Sequence, residues 1–115
     1  MNLEMLHLLE NRIYALYGRY HLCFYRGDMT NDELQTCFEE IDGIIAVIND
    51  FDRGAKQLID LDPIDRTRMN KLLMIKYLLE KAKEARYFKD TLDGIEQASL
   101  VAREFSMEGL YEVSY

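Results

Sequence analysis

Apolar residues recur at alternating spacings of three and four along most of this chain, which is the period of amphipathic helices and not of strands. In the first stretch Leu6, Leu9, Ile13, Leu16, Tyr20 and Cys23 share a stripe, and Met5, Tyr17 and Phe24 widen it. Its breadth of about 120° suits a helix packed into a globular core better than a narrow coiled-coil seam. Glu4, Asn11, Arg12 and Arg19 take the opposite side. Gly27 stands where a helix needs a left-handed closing residue, and Thr30-Asn31-Asp32-Glu33 spells a capping box, with Met29 and Leu34 as its hydrophobic staple. The pattern predicts a helix over 3–26 and another from 31, joined by a turn so short that the two must run antiparallel.

The second helix carries Leu34, Phe38, Ile41, Ile45 and Ile48 on one face, flanked by Cys37, Ile44 and Phe51. The phase continues through Ala55, Leu58 and Ile59, so the helix is predicted over 31–61, with Gly54 as its weak point. Asp62-Pro63 is a clean restart, Asp as N-cap and Pro at the first helical position. A third helix follows over 63–90. Its middle is apolar around most of its circumference, which requires cover on more than one side, in a bundle centre or a dimer. Leu72, Leu73, Ile75, Tyr77, Leu78 and Leu79 are therefore the candidate self-association residues. Lys76/Glu80 and Arg86/Asp90 have the spacing of stabilising i,i+4 pairs.

Asp93-Gly94-Ile95-Glu96 predicts a cap and a fourth helix over 95–107, the alternative being one long rod running through Gly94. The closing residues 110–115 alternate with period two, as a frayed end or a strand that pairs with something. The expected fold is all-α: one antiparallel bundle of three to four helices over 1–115, with a short C-terminal tail.

A length of 115 residues suffices for a single core, and 49% hydrophobic residues with one proline place the chain among globular, helix-leaning proteins. The formal charge of −7 disfavours generic binding to nucleic acid or anionic membranes and fits a basic partner. Cys23 and Cys37 both fall on apolar faces and read as reduced core thiols. The opening Met-Asn-Leu-Glu does not resemble a secretory signal, and the longest stretch without a polar side chain, 43–48, is far too short to span a bilayer. The expectation is a cytoplasmic protein with no membrane association.

Candidate chemistry is sparse. Glu4-Met5-Leu6-His7 has the Glu-x-x-His spacing of di-iron carboxylate bundles, but the other histidine, His21, lacks a matching glutamate. It also lies about 21 Å further along the same helix by the helical rise. Glu39-Glu40-Ile41-Asp42 supplies half of the magnesium pattern of all-helical nucleotide pyrophosphohydrolases, without the other half in register. Arg12 with Asp62 and Arg66 lacks the further cations that the small helical chorismate mutases require. Asn49 to Gly54 has the composition of a calcium loop but puts Phe51 and Arg53 where oxygens are needed. Arg26-Gly27-Asp28 reads as a helix cap. No glycine-rich phosphate loop, Cys-x-x-Cys or nucleophile elbow occurs. No catalytic residue, metal ligand or cofactor is assigned, and the expectation is a protein that is not an enzyme.

Charge and aromatic residues remain. Residues 28–65 are acidic, whereas Arg68, Lys71, Lys76, Lys81, Lys83 and Arg86 make the third helix basic. These cations scatter around the helix instead of lining a stripe, so complementary rims between neighbouring helices explain them better than nucleic acid does. On the first helix Leu3, His7, Tyr14, His21 and Tyr25 project as one strip beside the core stripe, with Tyr17 between the two. Tyrosine suits interfaces because a rigid apolar ring carries a polar tip. The sequence thus points to a small acidic protein–protein interaction module, an adaptor, inhibitor, immunity-type factor or chaperone, expected as a homodimer. Its candidate partner-binding residues are His7, Tyr14, Tyr17, His21, Tyr25, Tyr111 and Tyr115. The rival readings are a nucleic-acid- or nucleotide-associated protein using the basic third helix, and a helical enzyme with an unrecognised site.

Overall fold

The computed structural model describes residues 2–27, 29–56 and 61–113, the last five as backbone alone. Four helices occupy nearly all of them: α1 (Leu3–Arg26), α2 (Asn31–Lys56), α3 (Pro63–Glu84) and α4 (Phe88–Val113). The expected all-α bundle is present, with every helix at least 22 residues long.

Local chemistry sets most of the boundaries. The Asn2 side chain caps α1 by accepting from the amides of Glu4 at 2.9 Å and Met5 at 3.4 Å, a cap the hydrophobic pattern does not announce. Gly27 closes α1 at φ +73°, the left-handed region that a Cβ would oppose. At α2 the Glu33 amide donates to Thr30 Oγ1 at 3.1 Å, as the capping box requires. The box is only half formed, because the Glu33 carboxylate takes the Thr30 hydroxyl at 3.2 Å in place of the Thr30 amide. Asp62 caps α3 by accepting from the Asp65 amide at 2.8 Å, with Pro63 in the first turn.

Three predicted boundaries are corrected. Helix α2 passes through Gly54 to Lys56, and Leu61 lies outside any helix; the rest of the predicted extension, 57–60, falls outside the described residues. The third helix stops at Glu84, not 90, and the break comes at Ala85-Arg86-Tyr87 instead of Gly94. Ala85 leaves the helix with extended backbone (φ −63°, ψ 139°), and the Tyr87 carbonyl begins α4 by accepting from the amides of Asp90 and Thr91. Arg86 therefore lies in the break and Asp90 beyond it, so the two do not share a helical face, whereas Lys76 and Glu80 pair at 4.0 Å. The buried Thr91 hydroxyl ties the corner together by donating to the Ala82 carbonyl at 2.8 Å, so the last turn of α3 finds a partner in the first turn of α4. Helix α4 then runs past Met107 to Val113, so the alternating residues 110–113 are helical and not strand; Ser114 and Tyr115 lie outside the described residues.

Gly94 sits inside α4 as a site of close approach. A Cβ there would lie 2.8 Å from the Ala82 Cβ and 3.3 Å from its Cα. Ala98 and Ala102 follow at helical spacing and are buried, and α3 and α4 are the most extensively packed pair in the bundle, followed by α1 and α4. Helix α2 completes the ring more loosely, against α3 and α1. The core runs along the middle of the ring, with Leu6, Ile13, Ile41, Ile48, Leu72 and Phe105 among its fully buried members. The molecule measures 47 × 33 × 18 Å, with a radius of gyration of 15.2 Å. A compact chain of this length has a radius of about 13 Å.

Candidate functional site

Helix α4 lies antiparallel beside α1 and divides the predicted aromatic strip. Near one end of the seam His7 Nε2 is 3.1 Å from the Phe105 carbonyl oxygen, and Ser106 donates its hydroxyl to Glu10 at 2.6 Å. Further along, the Tyr17 hydroxyl donates to Glu96 Oε2 at 3.0 Å, and at the far end Phe24 packs on Phe88 with ring centroids 5.7 Å apart. His7 and Tyr17 are therefore half-buried seam residues. The imidazole of the Glu-x-x-His motif is engaged with backbone instead of a metal partner set. Burial, helped by the bond to Glu96 and its charge, raises the pKa of Tyr17, so this hydroxyl remains a donor at neutral pH.

Tyr14 and Tyr25 face outward, 65% and 66% exposed. His21 is half-buried between Tyr17 and Tyr25, with ring centroids 5.0 and 4.6 Å away. Phe24 meets the Tyr25 ring edge-on at 5.3 Å. The structure thus brings His21, Tyr17 and Tyr25 into one aromatic run and leaves Tyr14 alone further up the helix. Tyr111 is described as backbone only and Tyr115 not at all, so both fall outside this arrangement. The α4 members of the site, Asp93, Glu96 and Phe88, escape sequence reasoning, since nothing in the local pattern says which helix lies beside α1.

The six α3 residues assigned to self-association divide by burial. Leu72, Ile75 and Leu79 are fully buried in the chain's own core, and Leu78 packs against it. They are covered because α3 has α2 on one side and α4 on the other. Leu73 and Tyr77 point outward, together with Met74.

Most basic residues of α3 pair with carboxylates, whereas Arg66 donates to the Leu61 carbonyl at 3.5 Å. Arg68 bonds Glu108 at 2.9 Å, and Lys71 lies 3.5 Å from Glu104 and 3.6 Å from Glu108. Lys83 pairs with Asp42 of α2, and Lys81 with Glu84. The carboxylates thus come from α4, which takes Arg68 and Lys71, from α2, which takes Lys83, and from α3 itself.

Away from the α1–α4 seam, residues near the start of α1 and the end of α2 line an apolar cavity of about 400 Å³, which sequence periodicity gives no means of finding. Met5, Val47, Phe51, Ala55 and Leu61 line it, with Asp50 and Asp65 at its margin. Those carboxylates are taken up by Arg53 and Arg68 respectively. A shallower depression of about 150 Å³ continues it past Leu8 towards Arg12. Among the described residues no group of three His, Cys, Asp or Glu side chains is placed to hold a metal ion. Cys37 is fully buried, and that burial pushes its pKa up to about 12, the opposite of what a nucleophile needs.

Compared with protein-family models, curated proteins and solved structures, the chain gives no match. No helix among the described residues is long and apolar enough to cross a membrane.

Proposed function

We propose that the protein is a small interaction module that docks the tyrosine-bearing face of α1 onto another protein, as an adaptor, inhibitor, immunity-type factor or chaperone. The observation that carries this reading is the exposure of Tyr14 and Tyr25, about two-thirds each, on a helix held in place by the α1–α4 seam. Large aromatic rings on a rigid element lose little entropy on binding and are the commonest anchors of protein interfaces. The net charge of −7 favours a basic partner surface and speeds encounter with it. Pairing of the α3 cations within the fold weighs against the nucleic-acid alternative. The two free thiols, Cys23 and Cys37, suit a reducing compartment such as the cytoplasm.

Immobilised full-length protein should retain a partner from host extract that is lost with the double variant Tyr14→Ala/Tyr25→Ala. The same partner should be kept by Tyr77→Ala, which removes an exposed tyrosine from α3. Equal retention by all three proteins would remove α1 as the docking face.

A further inference from the structure

The aromatic run on α1 has two carboxylates of α4 near its Tyr17 member. Asp93 and Glu96 stand one turn apart on α4. Glu96 fixes the Tyr17 hydroxyl through Oε2, which orients the carboxylate and leaves its second oxygen available. Asp93 is exposed and has no hydrogen bond or ion pair among the described residues. Helix α1 ends at this corner with Arg26 in its last turn, so the partial negative charge of its terminal carbonyls is met by a cation of the chain itself. Cations of the chain do lie over other rings: Arg19 over Tyr20, Lys71 over Phe105, Lys81 over Tyr77 and Arg86 over Tyr87. None of these four uses Tyr17, His21 or Tyr25.

Electron-rich ring faces, an oriented carboxylate and an unpaired one all favour the same kind of ligand, a cation. A guanidinium fits better than an ammonium, because it is planar, stacks on rings, and offers paired N–H donors to carboxylate oxygens.

We propose that this corner is a socket for an arginine side chain of a basic protein partner, its guanidinium stacking on Tyr25 and His21 while donating to Asp93 and Glu96. The socket rests on the docking function proposed above and names the partner chemistry that the α1 face selects. Tyr14, further up the helix, contributes contact area outside it.

The probes are fluorescently labelled hexa-arginine and hexa-lysine peptides, titrated against the full chain by anisotropy at about 150 mM salt, where diffuse surface charge is well screened. Hexa-arginine should bind at least about fivefold more tightly than hexa-lysine. Asp93→Asn/Glu96→Gln, whose new amide oxygen can still accept from the Tyr17 hydroxyl, should weaken it by about tenfold, and Tyr25→Ala by a similar factor. Asp32→Asn/Glu39→Gln, which removes the same charge from the exposed surface of α2, should stay within about twofold of the parent. Circular dichroism checks that each variant keeps its helix content. In the unaltered protein the His21 ring resonances should shift with hexa-arginine, a readout that needs no variant.

Equal losses from the two charge-removing pairs, no effect of Tyr25→Ala, or unmoved His21 resonances would overturn the socket. If a partner depends on Tyr14 and Tyr25 but hexa-arginine does not bind, the socket alone falls. If hexa-arginine binds as described but no partner is retained, the docking reading falls instead.

Discussion

Cys37 faces the core with its thiol held protonated, its pKa raised by burial from 9.0 to about 12. A group whose pKa is higher in the folded state keeps more protons there than in the unfolded chain. Its stabilising contribution is therefore complete below about pH 9 and is lost as pH rises towards 12. Tyr17 and Tyr20, both raised chiefly by burial, act in the same direction above pH 10. Urea denaturation should thus give a stability that declines over this alkaline range. Cys37→Ala should lower stability near pH 7 by about 1–2 kcal/mol through the cavity it leaves, while flattening the alkaline decline. An unchanged alkaline slope would mean that the thiol is not the group responsible. In native protein a thiol reagent should modify the half-buried Cys23 and reach Cys37 only on unfolding. Much at this scale is legible in the sequence: Gly27, Asp62 and Pro63 act as their local chemistry dictates, since a cap needs only its own few neighbours. The Thr30 box is half legible, because the Glu33 carboxylate has two donors within reach and the sequence does not say which it takes.

Among the helices, the instructive misreading concerns Gly94. Along the chain, Asp93-Gly94 resembles a helix start; in the bundle the glycine is where α4 touches Ala82 of α3. The true break, Ala85 to Tyr87, contains no glycine, proline or capping side chain, and part of what secures it is the bond from Thr91 to Ala82 across the corner. That bond exists only once the two helices are folded back on each other. Two glycine substitutions test the distinction. Gly18 has nothing within 4 Å of an added Cβ, so Gly18→Ala should stabilise the protein by about 0.5–1 kcal/mol, the gain in helix propensity. Gly94→Ala gains the same propensity but drives a methyl against Ala82 of α3, and should cost about 1–2 kcal/mol net. Denaturation midpoints that moved the same way for both would contradict the close approach.

For the molecule as a whole, the proposed homodimer has a narrower basis than the apolar middle of α3 suggests, because Leu72, Ile75 and Leu79 are used up inside the bundle. Leu73, Met74 and Tyr77 remain, exposed by 39%, 55% and 58%. If they join two copies, light scattering at micromolar concentration should give twice the 13.6 kDa chain mass, and Leu73→Glu/Tyr77→Glu should return it to the monomer value. A monomer mass for the parent protein would remove the dimer. The apolar cavity belongs to this scale as well, since Met5 of α1, Val47, Phe51 and Ala55 of α2, and Leu61 come together there only in the folded bundle.

Periodicity and capping are local and repeat within one or two turns, so the chain alone specifies the all-helical class, most of the caps and many of the residues that fill the core. Which helices become neighbours is settled in three dimensions. Four similar amphipathic rods can be ringed in more than one way, and the choice depends on shape between residues far apart in the chain, such as Gly94 against Ala82 of α3 and Tyr17 against Glu96. The tyrosines of the candidate site are accordingly visible along the sequence, whereas the carboxylates that give it a chemical preference come to it only through packing of α4 on α1.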